Sequence, residues 1–258
     1  MFKTKNVFSK SILSLAIAGS LASVPTAYAY EAGDFIVRAG AAIVDPNESS
    51  SEINIETLSL GNAAGTEVGV DSDVQLGITF SYMLTSEFGI ELLAATPFQH
   101  NIYGKGVLAG AGNLGKTKHL PPTLNFNYYP NEKGSKFQPY LGIGLNYTTF
   151  FDTSANSTLN NAGTIDALAN LTPNAPGANT ITSATNTDIE LDDSFGLAIQ
   201  VGFDYQLTEN IGINAAYWRA DIDTEGTITT DTNLGKVTAK VDVDIDPSVY
   251  MVGLSYKF

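Results

Sequence analysis

Pro247-Ser-Val-Tyr-Met-Val-Gly-Leu-Ser-Tyr-Lys-Phe258 is a twelve-residue stretch with two unlike faces. Tyr250, Val252, Leu254, Tyr256 and Phe258 share one side of an extended strand. Met251, Gly253, Ser255 and Lys257 share the other. A strand with an apolar, aromatic-ended side suits a bilayer, because aromatic rings favour the membrane–water interface.

The same pattern recurs upstream. From Asp73 to Leu84, Val74, Leu76, Ile78, Phe80, Tyr82 and Leu84 alternate with small or polar residues, the signature of a strand with one apolar side. Further alternating runs are expected over 34–44, 88–99, 120–129, 139–148, 195–205 and 211–218, eight strands in all. Short turns alternate with long external loops at 45–72, 100–119, 152–190 and 223–246, the third with a short helix near 164–170. This arrangement predicts an all-β protein, an eight-stranded antiparallel up-and-down transmembrane β-barrel. Tyr82, Phe88, Tyr128, Tyr205, Tyr256 and Phe258 cluster beside the short turns as one aromatic girdle. A soluble barrel would point its apolar side inward. Gly, Ala and Ser would then cover an exterior that normally carries far more charge.

Residues 1–29 read as a cleaved signal peptide. Lys3, Lys5 and Lys10 precede an apolar run too short to span a bilayer, and Ala27-Tyr28-Ala29 has the form of a cleavage site. The remaining residues, 30–258, form the barrel. All three signal lysines are lost from the thirteen basic residues, while all 27 acids remain, so the mature charge is 10 − 27 = −17. That balance excludes nucleic acid as a partner. Without cysteine, disulfide scaffolds and thiolate metal sites are excluded too.

Five segments carry a family resemblance: 31–40 (EAGDFIVRAG), 91–98 (ELLAATPF), 119–123 (HLPPT), 139–151 (PYLGIGLNYTTFF) and 221–223 (DID). Over the mature chain they resemble the outer membrane protein W (OmpW) family. The resemblance implies an outer-membrane barrel of a Gram-negative envelope, associated with uptake of small hydrophobic molecules. It also implies that Phe258 acts as the aromatic signal read by barrel-insertion machinery. The surroundings would be outer-membrane lipid and lipopolysaccharide.

An eight-stranded barrel has a narrow lumen that side chains nearly fill. By parity Leu93, Trp218, Met83 and Met251 point inward, either as core filling or as an apolar constriction that binds solute. Pro97 in strand three and Pro121 and Pro122 in strand four lie about eight to ten residues above the short turns, roughly 20 Å after tilt. Proline cannot donate to a ladder. The cluster marks either a rim where strands end or a lateral opening into the membrane. Asp242, Asp244 and Asp246 share a hairpin face, a solvated surface or a weak divalent-cation candidate. His100 and His119 sit at loop boundaries without a strained Gly-x-Ser-x-Gly turn, so no enzyme, catalytic residue or cofactor is expected. The alternatives to a conduit are a structural, adhesive or stress-related barrel, or a lipid-modifying enzyme.

Overall fold

In the computed structural model, which describes residues 30–130 and 135–258, eight antiparallel strands close into a barrel. They are β1 (Phe35–Asp45), β2 (Asp73–Met83), β3 (Phe88–Ala95), β4 (Thr123–Tyr128), β5 (Phe137–Ala155), β6 (Ser194–Gln206), β7 (Ile211–Ala220) and β8 (Ser248–Lys257). Each pairs with the next. β8 returns to β1 from Ile36↔Lys257 to Asp45↔Ser248, and Phe258 adds its amide to the Phe35 carbonyl at 2.9 Å. The signal segment 1–29 and the tip of the 130–135 turn lie outside the described residues.

Alternation decides which way each side chain points. Ile143, Leu197 and Val252 are more than 60 % exposed, whereas their chain neighbours are wholly or mostly covered inside the barrel. Rings stack along the outer face near the short turns: Phe88 on Phe126 at 5.5 Å, Phe35 beside Phe258 at 5.9 Å. Tyr147, Phe195, Tyr217 and Tyr250 mark the upper end of the same belt. Following Val44 rung by rung through Val249, Trp218, Gln200, Gly142, Asn127, Gly89 and Met83 returns to Asp34. The barrel therefore closes with a stagger of ten residues. A stagger of that size tilts the strands by about 40° and lifts each rung by roughly 3 Å from one strand to the next.

The region above the membrane belt departs from the sequence expectation. Residues 100–119 are not a loop: Phe98–Gly106 and Asn113–Leu120 form a hairpin that prolongs β3 and β4 outward. Strands three and four are not continuous. Each is broken, at Thr96-Pro97 and at Pro121-Pro122. The segments 184–191, 223–232 and 235–244 build a second sheet, joined by short pieces at 49–50, 54–55 and 61–62. Within 152–190 the helix α1 (Ala162–Ala169) begins at Asn161, whose side chain caps the amides of Gly163 and Thr164. These elements bury one apolar cluster, including Ile53, Leu108, Leu159, Ile165, Leu168 and Val241. The external chain is thus a folded cup with its own core.

Asp166 on α1 holds the returning chain. Its carboxylate accepts the amides of Ile181 and Asn179, each at 2.8 Å, and these bonds hold its pKa below the usual carboxylate range. A depressed carboxyl contributes stability above its unfolded pKa and loses it as pH falls through the folded value. In Asp166→Ala the amides of Asn179 and Ile181 should exchange with deuterium at least several-fold faster at neutral pH, with barrel amides unchanged. Wild type should approach that pattern only in acid.

Candidate functional site

The lower lumen is polar and filled. Arg38 rises from β1 with its side chain fully buried, and its Nη1 donates to Glu91 on β3 at 2.6 Å. Nη2 donates to Asp204 on β6 at 2.7 Å, and Nη1 also reaches the Ser81 hydroxyl on β2. The Tyr140 ring lies 4.8 Å from the guanidinium carbon. Gln200 donates to Glu91, Asn214 to Asp204, and Tyr30 sends its hydroxyl hydrogen to Asp204 at 2.7 Å. A guanidinium between two carboxylates, with the remaining lone pairs hydrogen-bonded, meets the condition for burying charge. The network reaches across the bore from β2 and β3 to β6 and β7.

Above it the lining becomes apolar. With the stagger of ten, Leu93 on β3, Trp218 on β7 and Met251 on β8 fall within about 3 Å of one height along the axis. They pack in one buried cluster. Met83 does not join them at that level. It ends β2 beside the short turn, where its amide bonds Asp34 and its carbonyl accepts from Gly33, and it belongs to the barrel floor with Tyr129.

Over this level the cup encloses an apolar cavity of ≈ 110 Å³. That is the same order as the ~150 Å³ apolar cavity known to hold benzene. Its walls come from the barrel rim (Val44, Phe150), from α1 (Ile165, Leu168) and from the external hairpins (Ile102, Val241).

The β3–β4 ladder is interrupted above the level of Leu93. The two strands pair from Phe88↔Tyr128 to Leu93↔Thr123, and pairing resumes only at Phe98↔His119. Residues 94–97 and 120–122 between these rungs are not partnered with each other. The outer sides of the break stay tied. Thr96 donates to the Leu76 carbonyl on β2 at 3.0 Å, and Tyr147 on β5 donates to the Pro122 carbonyl at 3.1 Å. Pro121 offers no hydrogen, and its carbonyl is served from β5 by the Asn146 amide at 3.3 Å and locally by Thr123. The break is confined to one seam and lies at the level of Tyr147, in the upper belt.

Two histidines stand on the first rungs above the break. His100 shares a 2.5 Å hydrogen bond between Nδ1 and the Asp71 carbonyl, and its Nε2 lies 2.8 Å from Nε2 of His119. His119 stacks on Phe98 at 5.4 Å and stands 5.9 Å from Phe150. It lies on the external hairpin, beyond the spanning part of strand four. Burial first and His100 second push its pKa down to about 3. Among the described residues no hydroxyl is hydrogen-bonded to either ring.

Asp242 and Asp244 are exposed on the 235–244 strand, and Asp246 follows it, 3.8 Å from Arg219. Among the described residues no three His, Cys, Asp or Glu side chains converge to hold a metal ion.

The OmpW family model matches residues 31–170 and 176–258. The chain belongs to the OmpW family. It is 43 % identical over 250 residues to outer membrane protein W of Vibrio cholerae, covering 96 % of this chain and 99 % of that protein. Against outer membrane protein W of Escherichia coli the identity is 37 % over 248 residues, covering 96 % and 98 %. The crystal structure of the outer membrane protein OprG from Pseudomonas aeruginosa superposes with a TM-score of 0.76 at 44 % identity, covering 90 % of this chain and 99 % of that one. As an OmpW-family barrel the protein resides in the outer membrane, with its apolar belt in lipid.

Sequence reasoning passed over Arg38, Glu91 and Asp204 as members of the small or polar faces. The signal was present: three charged residues on inward parity of a narrow barrel must meet. It also left the cup's aliphatics unread, because they are scattered over four connections.

Replacing Arg38 by Met should cost about 3–5 kcal/mol of folding free energy, since two carboxylates are left buried without a cation. Urea titration in detergent measures this. Adding Glu91→Gln and Asp204→Asn to Arg38→Met should restore most of it.

Proposed function

We propose that this OmpW-family barrel is a passive route for small hydrophobic molecules. A solute enters through the cup, rests in the apolar cavity above Leu93, Trp218 and Met251, and leaves sideways between β3 and β4 into the outer leaflet. The observation that carries this reading is the broken β3–β4 ladder, Leu93↔Thr123 to Phe98↔His119, at the side of an apolar cavity.

Three physical facts support the direction of travel. Below the cavity the Arg38 network fills the bore with charge, a poor place for an apolar solute. Beside it, Pro97, Pro121 and Pro122 withhold the hydrogens that would zip the wall shut. Outside it is hydrocarbon, so partition alone supplies the driving force. Leu93, Trp218 and Met251 lie below the cavity without lining it, and Met83 lies lower still, at the barrel floor.

In the same reading export removes residues 1–29, which leaves Tyr30 at the head of the lumen network. Phe258 is the aromatic that insertion machinery recognises, and lipopolysaccharide surrounds the upper belt. No step of this route calls for a catalytic residue or a cofactor.

Proteoliposomes with lipopolysaccharide in the bilayer, loaded by an apolar fluorescent probe, test the exit. Substituting Pro97→Thr, Pro121→Val and Pro122→Thr together should slow probe uptake by roughly tenfold, about 1.4 kcal/mol on the exit barrier. Uptake equal to wild type in a folded variant would sink the lateral route. Wild-type vesicles no faster than protein-free ones would favour a structural barrel.

A further inference from the structure

Two buried histidines stand just above the β3–β4 break, near buried Thr117, Thr123 and Asn146, and both line the largely apolar cavity. The hydrogen-bond polarity of the pair follows from chemistry. A main-chain carbonyl only accepts, so the hydrogen between His100 and Asp71 sits on His100 Nδ1. With both rings neutral, His100 Nε2 is then a lone pair, and the hydrogen of the Nε2–Nε2 contact belongs to His119. That leaves a lone pair on His119 Nδ1. This atom is buried, the residue is 5 % exposed, and no protein donor among the described residues reaches it. Burial keeps His119 neutral, with a pKa near 3, so the lone pair persists at ordinary pH.

A buried acceptor without a donor is costly, and a ligand that brings a hydrogen relieves that cost. His119 also lines the cavity and holds the first rung above the break. Phe98 and Phe150 flank its ring and offer apolar contact to the rest of a solute. We propose that His119 selects, among apolar solutes, those carrying a single hydroxyl or amine hydrogen, which Nδ1 accepts at the side opening. The preferred class is therefore the alcohol or phenol rather than the bare hydrocarbon. This rests on the cavity being a solute pathway.

The test uses the full barrel in detergent micelles with 15N-labelled histidine, titrated with phenol and with toluene, which differ by a hydroxyl in place of a methyl. Phenol should move the unprotonated Nδ1 resonance of His119 towards its hydrogen-bonded position and bind roughly fivefold tighter than toluene, about 1 kcal/mol. Toluene should bind without that shift. In His119→Phe the two probes should bind alike. Equal affinities in wild type, phenol binding with Nδ1 unmoved, or a preference that survives His119→Phe each overturn the selection and leave the pathway standing. Binding of neither probe removes the pathway reading, and the selection falls with it. Where His119→Phe does not fold, the wild-type Nδ1 shift decides the question alone.

Discussion

In hydrocarbon no water waits to satisfy an opened amide, so a barrel wall holds only if every peptide group has a partner inside the protein. This constraint shapes the rest of the molecule. It forces closure of β8 on β1 and makes any break in the wall a feature that needs its own chemistry. At residues 94–97 and 120–122 that chemistry is visible. Prolines remove donors outright, and Asn146, Thr123 and Tyr147 serve the carbonyls left behind. A seam can thus stay parted at the edge of the membrane without the cost that an ordinary broken ladder would incur.

The lumen solves a second problem by division. Below, a guanidinium is matched to two carboxylates, which lets the base of the barrel hold buried charge. Above, Leu93, Trp218 and Met251 stand among inward Thr123, Asn146 and Thr148, and the external sheets and α1 complete an apolar cup. One bore therefore presents two solvents to a solute. The unpaired seam sits at the upper one.

Much of the barrel was legible because its periodicity is enforced twice, by lipid outside and a narrow bore inside. The alternation over 73–84 and 248–258 has no other reading, and the parity of Leu93 and Trp218 follows from it. Height was not legible. Met83 and Met251 share inward parity, yet the stagger of ten residues sends one to the floor and the other to the level of Trp218. Stagger is a property of the closed ladder, and no single strand reveals it. The cup was hidden for a different reason. Residues such as Ile53, Leu108 and Leu159 come from separate connections, so their common core arises from long-range contacts that leave no local period. Residues 100–119 illustrate the point: glycine-rich composition pointed to a loop, while pairing with β5 and with 66–70 makes them sheet.

The same reasoning separates what the prolines do from what they resemble. At a rim, strands end and diverge, and nothing would re-pair above. Here Phe98↔His119 restores the β3–β4 pairing above the three prolines and carries it to Tyr103↔Asn113. The ladder stops at Leu93↔Thr123 and restarts at Phe98↔His119 shifted by one residue, with a paired wall below, a hairpin above and tied strands on either side. The hairpin also fixes the two histidines just above the unpaired seam, braced by the Asp71 carbonyl and by Phe98. A frayed edge could not hold a ring pair in one geometry. The continuity of the upper hairpin therefore gives the unpaired seam at the three prolines a defined position.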